Sequence, residues 1–181
     1  LRGVSFGDSL IKHVVETLTA EFPRLRTFAT LSPIPGFRAW LSKHAGTMLE
    51  RLDDKRRAEL GRAVGFEPPQ ATHLLGAIDK ALELDAKSPV RQMLLECAAY
   101  YLGREMQEGK PVDPVARFHL GNGARVERLN WAGDPSSKGQ KQSYGLMVNY
   151  LYDLKRIDKH RSLLAQGKVP VSGDIDSLCR D

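Results

Sequence analysis

Cysteines, aromatic residues and long apolar runs are all scarce in this chain, and each scarcity closes off a class of protein. Cys97 and Cys179 are the only cysteines in 181 residues. Two are too few for a disulfide framework, so a reducing compartment is expected. Cys97 falls on an apolar helical stripe and reads as a buried thiol. Aromatics make up only 7% of the chain, and no interleaving with basic residues suggests stacked nucleobases. No apolar run reaches the ~18 residues that a membrane-spanning helix requires. His13, His44, His73, His119 and His160 stand at no metal-ligand spacing from cysteine or carboxylate, so no metal is expected. The polar stretch Gly133-Asp134-Pro135-Ser136-Ser137-Lys138-Gly139 carries its lysine before the last glycine instead of after it, and so fails the phosphate-loop pattern.

What is present is an ordinary globular mixture of 41% hydrophobic and 27% charged residues. The net charge of +5 favours anionic partners. The densest basic cluster, Lys55-Arg56-Arg57, sits beside Asp53, Asp54 and Glu59 and reads as a solvated helix face, not a nucleic-acid patch. The chain begins at Leu1 without a charged-then-apolar leader and runs straight into a helical pattern, as a piece cut from a longer protein would.

Residues 9–22 place Leu10, Ile11, Val14, Val15, Leu18 and Phe22 on one helical face, with Asp8 as the expected N-cap and Pro23 beyond the end. The glycine-bearing stretch Arg2-Gly3-Val4-Ser5-Phe6-Gly7 precedes it. A turn opening into a helix N-terminus is either an ordinary cap or an anion site, because the first N–H groups lack internal partners. Leu25–Leu31 then reads as a short strand ending in the turn Ser32-Pro33-Ile34-Pro35-Gly36. Pro33 holds Ser32 extended. Ser32 is either a turn-forming serine or a hydroxyl presented at a strand's carboxyl end, where α/β folds place ligands. Residues 38–110 read as entirely helical, with Ser88-Pro89 opening one helix and Gly103 closing it. His44 and His73 read there as surface or packing residues. Beyond Pro111, glycines punctuate short segments, and Ala124–Trp131 and Leu146–Leu154 are the expected strands. His119, set against the turn Gly121-Asn122-Gly123, is either a packed histidine or a catalytic one. The tail from Asp158 is polar and carries no clear pattern.

Several blocks together carry a resemblance. They are Phe6-Gly7-Asp8-Ser9-Leu10-Ile11-Lys12, Thr30-Leu31-Ser32-Pro33-Ile34-Pro35-Gly36-Phe37, Asp113-Pro114-Val115-Ala116-Arg117-Phe118-His119-Leu120-Gly121-Asn122-Gly123-Ala124, Leu129-Asn130-Trp131 and Gly145-Leu146-Met147-Val148-Asn149-Tyr150-Leu151-Tyr152. In this order and at these spacings, over about residues 1–155, the chain resembles the carboxyl-terminal catalytic region of the malonyl-CoA decarboxylases.

The resemblance implies an α/β (α+β) chain: a partial GNAT-like acyl-CoA fold lacking its early strands, with a large helical insertion. Residues 1–37 would carry the coenzyme A loop, helix and strand. Residues 38–110 would be the insertion, 111–155 the late strands with catalytic histidine and tyrosine, and 156–181 a tail. Ser32, His119 and Tyr152 match the family's catalytic residues. Arg2, Gly3, Val4, Ser5, Phe6, Gly7 and Asp8, with Ser32 and His119, match its coenzyme A and substrate contacts. Asp8 departs from the small neutral residue that suits a pyrophosphate. The implied substrate is malonyl-CoA, with no separate cofactor, no nucleic acid, no membrane, and a homo-oligomeric state. The implied localisation is cytoplasmic, or mitochondrial or peroxisomal in a eukaryote. The competing readings are a related coenzyme A-dependent acyltransferase and a non-catalytic basic module that binds nucleic acid. A chain beginning at the pyrophosphate loop should also leave a sheet edge unpaired and apolar surface exposed.

Overall fold

The computed structural model describes residues 6–180, and it is a mixed α+β arrangement. Helix α1 spans Phe6–Glu21, and strand β1 spans Thr27–Pro33. A helical block follows: α2 (Phe37–Glu50), α3 (Asp54–Val64), α4 (Ala71–Ile78), a short 3-10 turn at Ala81–Glu83, and α5 (Pro89–Gly103). A hairpin of β2 (Met106–Gln107) and β3 (Lys110–Pro111) leads to α6 (Pro114–Gly121). Strand β4 (Arg125–Asn130), α7 (Ser137–Ser143), β5 (Met147–Asp153), α8 (Ile157–Ala165) and α9 (Gly173–Leu178) complete the order.

The main sheet has three antiparallel strands in the order β1-β5-β4. β5 is central because its residues suit both neighbours. Val148, Tyr150 and Tyr152 alternate inward and are buried, while Met147, Asn149 and Leu151 occupy the other face. Asn149 ties all three strands, donating to the Thr30 carbonyl at 3.0 Å and accepting from Asn130 Nδ2 at 2.9 Å. Register follows from that alternation, since a one-residue slip would turn both tyrosines to the wrong face. The outer side of β4 carries a parallel bridge from Val126 to Val171, and a bulge at Glu127 frees its carbonyl for the Ser172 hydroxyl at 2.7 Å.

Helices α2 and α5 are the largest contributors to the core. Phe37, Leu41, Met93, Leu94, Cys97 and Tyr101 are buried together with Val126, Val148 and Tyr150 of the sheet. Each fully buried side chain of this size contributes about 1.5–3 kcal/mol. Cys97 is fully buried, and burial pushes its thiol well above the ordinary range. His44 stacks on Trp40, and His73 stacks on Phe66 while capping α4 through the Gln70 N–H.

Four expectations are corrected. Asp8 lies within α1 as helical backbone and is not its N-cap. Ser32 and Pro33 are the last residues of β1, paired with Val148 and Met147, so Ser32 is a strand residue and not a turn serine. The block 38–110 is not wholly helical, since β2 and part of β3 fall inside it. The polar tail folds as α8 and α9. The strands expected at Ala124–Trp131 and Leu146–Leu154 are β4 and β5, each trimmed by one residue at both ends. Among the described residues, β1 has no strand on its outer side. Leu10 and Val14 of α1, Phe22 just after it and Leu31 of β1 are exposed, Leu31 at 58%.

Candidate active site

Ser32, His119 and Tyr152 converge although they lie far apart in the chain. Ser32 Oγ stands 3.4 Å from His119 Nε2, and Tyr152 OH stands 2.6 Å from His119 Nδ1. β1 presents Ser32 at its penultimate position, on the same face as Val148, Tyr150 and Tyr152 of β5. Ser32 and Tyr152 are buried and His119 is half-buried.

Helix α6 brings the imidazole over that face. It starts at Asp113, whose carboxylate accepts from the Val115 and Ala116 N–H groups at 3.1 Å each, with Pro114 at the first helical position. His119 follows in the last turn. The chain then reverses: Ala124 N–H donates to the His119 carbonyl at 3.1 Å, and Gly123 takes a left-handed φ of +91°. A Cβ at Gly123 would stand 2.6 Å from Ile157 Cγ2, so only glycine fits this reversal between α6 and β4.

Electrostatics follow from the packing. The His119 ring stacks on Tyr150 at 4.8 Å between centroids and meets Phe118 edge-on at 5.0 Å. Burial among these rings disfavours the imidazolium and lowers the His119 pKa to about 4. The ring is therefore neutral near pH 7, with one N–H and one lone pair. Each nitrogen faces a hydroxyl. If Tyr152 donates to Nδ1, Nε2 is the N–H that faces Ser32; if Ser32 donates to Nε2, Nδ1 is the donor to Tyr152. Thr30 Oγ1 lies 2.9 Å from Ser32 Oγ and extends the chain of hydroxyls. The arrangement can pass a proton along a line of neutral groups, and it can donate to a developing oxyanion without first charging the ring.

Three residues of this neighbourhood escaped the sequence reading. Thr30 and Tyr150 were readable only through strand pairing, because Thr30 lies opposite Tyr150 in the β1–β5 register. Asp113 had a local signal, since Asp-Pro is a helix-start pair like Ser88-Pro89. Its second role had none. Asp113 Oδ1 also accepts from Gly36 N–H and Tyr101 OH, both at 3.2 Å. One carboxylate, 1% exposed, thus joins the turn after Ser32 to the helix that carries His119. Burial raises the Asp113 pKa, and the donors from Ala116, Gly36, Tyr101 and Val115 oppose that.

Of the expected coenzyme A contacts, Arg2, Gly3, Val4 and Ser5 lie outside the described residues. Phe6, Gly7 and Asp8 form helical backbone at the start of α1. No helix among the described residues is long and apolar enough to cross a membrane.

The family profile described as the malonyl-CoA decarboxylase C-terminal domain matches residues 1–181. This chain belongs to the malonyl-CoA decarboxylase family. Mitochondrial malonyl-CoA decarboxylase of Rattus norvegicus is 37% identical over 187 residues, covering 98% of this chain and 38% of that protein. The Mus musculus enzyme is 37% identical over 189 residues, with the same coverage of 98% and 38%. Among solved structures, malonyl-CoA decarboxylase from Cupriavidus metallidurans superposes with a TM-score of 0.85 at 46% identity, over 98% of this chain and 45% of that one. The Agrobacterium vitis enzyme superposes with a TM-score of 0.76 at 41% identity, over 100% of this chain and 42% of that one. The chain thus spans less than half the length of these malonyl-CoA decarboxylases.

Proposed function

We propose that the protein converts malonyl-CoA to acetyl-CoA and carbon dioxide, with Ser32, His119 and Tyr152 as its reacting centre. The observation that carries this reading is the line Tyr152–His119–Ser32, with hydroxyls at 2.6 and 3.4 Å from the two ring nitrogens, in a chain of this family. In the reaction the bond between the malonyl carboxylate carbon and the α-carbon breaks. Its electron pair moves into the thioester as an enolate, and carbon dioxide leaves. The enolate carbon then takes a proton, so each turnover consumes one proton from solvent.

Neutral imidazole and hydroxyl groups suit both halves. A donor aimed at the enolate oxygen is worth roughly 100- to 1,000-fold in rate. The same line of groups returns a proton to carbon, with Tyr152 replenishing His119 and His119 replenishing Ser32. Because the thioester carbonyl receives the electron pair, the proposed reaction needs no metal, biotin, pyridoxal or thiamine group. The GNAT-like assignment is supported by the antiparallel order β1-β5-β4 following a helix. Coenzyme A binding at Arg2–Asp8 rests on the family resemblance.

The test is acetyl-CoA release from malonyl-CoA by the full-length protein. His119→Ala should lower kcat roughly 100-fold or more while coenzyme A still binds. Turnover equal to that of the unsubstituted protein would overturn the assignment of His119.

A further inference from the structure

A second concavity, of about 690 Å³, lies against β4 and is lined by none of Ser32, His119 and Tyr152. Its walls come from the end of α5, from α8, and from the segment that bridges to Val126 and enters α9. The volume falls within the roughly 300–1,000 Å³ of small-molecule sites.

Its charge is strongly one-sided. Arg104, Arg125, Arg156, Lys159 and Lys168 line it, against a single carboxylate, Asp176. The three arginines are held in place. Arg104 pairs with Asp176 at 2.9 Å, Arg125 with Glu127 at 2.6 Å, and Arg156 with Asp153 at 3.5 Å. Glu127 and Asp153 do not line the cavity; they orient the guanidinium groups and offset part of their charge, so Lys159 and Lys168 carry the uncompensated positive charge there. Asp176 is itself shared, since Arg180 also reaches it at 3.3 Å. Lys159 and Lys168 are exposed at the cavity, and among the described residues their ammonium groups have no hydrogen-bond or ion-pair partner. His160 forms a buried wall, its Nδ1–H donating to the Gly123 carbonyl at 3.1 Å, which leaves Nε2 without a partner among the described residues.

These features select a ligand class. An apolar ligand would strip water from five cations and return nothing to them. A divalent cation would be repelled. A lone carboxylate would use one arginine and leave the rest idle. Fixed guanidinium forks with adaptable ammonium groups match the spread oxygens of phosphate groups. We propose that this cavity binds a small, multiply charged phosphate-bearing anion, with Lys159 and Lys168 closing on phosphates positioned by Arg104, Arg125 and Arg156. Such phosphates have two sources: a free phosphorylated metabolite, or the phosphates of the acyl-CoA substrate itself.

The experiment is calorimetric titration of the full-length protein with inorganic pyrophosphate and with adenosine 3′,5′-bisphosphate, repeated on the double variant Lys159→Ala/Lys168→Ala. Both lysines are exposed, and unchanged circular dichroism and Tm would show that the variant is folded. Saturable binding is expected, weakened roughly tenfold or more in the variant and by raised salt. The KM for malonyl-CoA separates the two sources. An unchanged KM in the variant assigns the cavity to a free phosphorylated ligand, and a raised KM assigns it to the substrate's own phosphates. Absence of saturable binding, or equal binding by both proteins, would overturn the proposal.

Discussion

His119 can serve two partners because each ring nitrogen faces a different hydroxyl and neither partner is charged. Its pKa, lowered to about 4 by burial, sets a test at the residue scale. The profile of kcat/KM reports the free enzyme. It should stay level through the ordinary histidine range and fall as pH drops through about 4. An inflection near 6.5 assigned to His119 would sink the neutral-ring reading. Stability has the same sign. The unfolded chain takes up a proton on this histidine below about 6.5, while the folded chain resists until about 4. Stability from this site is therefore lost as pH falls across that window, and His119→Gln should flatten that part of a denaturation series. Tyr152→Phe removes the partner of Nδ1, and kcat should drop roughly tenfold to a hundredfold with little change in Tm. Tyr150 differs from both. Its hydroxyl is buried and has no hydrogen-bond partner among the described residues, so Tyr150→Phe should leave stability unchanged or slightly raised in urea denaturation.

At the scale of elements, the site depends on how α6 is anchored to the end of β1. Asp113 makes that joint through four donors from three parts of the chain. Asp113→Ala would leave the Gly36 N–H and Tyr101 hydroxyl unpaired and uncap α6. The expected loss is about 3 kcal/mol, read as a lower urea midpoint, together with a fall in kcat as Ser32 and His119 drift apart. Asp113→Asn keeps one acceptor oxygen and should lie between. A variant as stable and active as the parent would show that the turn and the helix hold their positions without it. The other joint is Gly123, where an added Cβ meets Ile157 in a left-handed backbone. The pair Asp113-Pro114 is a helix-start signal of the same kind as Ser88-Pro89, because capping is a local property, yet no helix was expected there. That the same carboxylate reaches Gly36, 77 positions earlier, was not legible in the sequence.

The described residues keep their core between the helical block and one face of the sheet, with Ile11 and Phe28 packed against it, while other apolar side chains of β1 and α1 face outward. Leu31 is 58% exposed, and Leu10, Val14 and Phe22 are 45–51% exposed. An edge strand beside such a face is a template for association. Residues 1–181 alone should therefore self-associate with rising concentration in sedimentation velocity, and Leu31→Lys should reduce it. A monomer at all concentrations would contradict that. At this scale the helical stripes and the two late strands were readable because their periodicities of 3.6 and 2 are written residue by residue. The order β1-β5-β4 was not, because pairing depends on which strands meet after α6 and α7 have turned the chain.

Sequence alone decided the strongly periodic helices and the two late strands, that Cys97 is buried, and which ordered blocks mark the family. Those features depend on neighbours within one or two turns of chain, or on the linear order of residues. Tertiary structure alone decided that Ser32 ends a strand, that His119 reaches it across 87 positions, and that Tyr152 completes the line from the neighbouring strand. It also decided the protonation state of His119, since desolvation comes from rings and strands that meet only in the fold. The clustered charges beside β4 belong with these. Arg104, Arg125 and Lys168 are scattered in the sequence and share a wall only because α5, β4 and the segment before α9 converge.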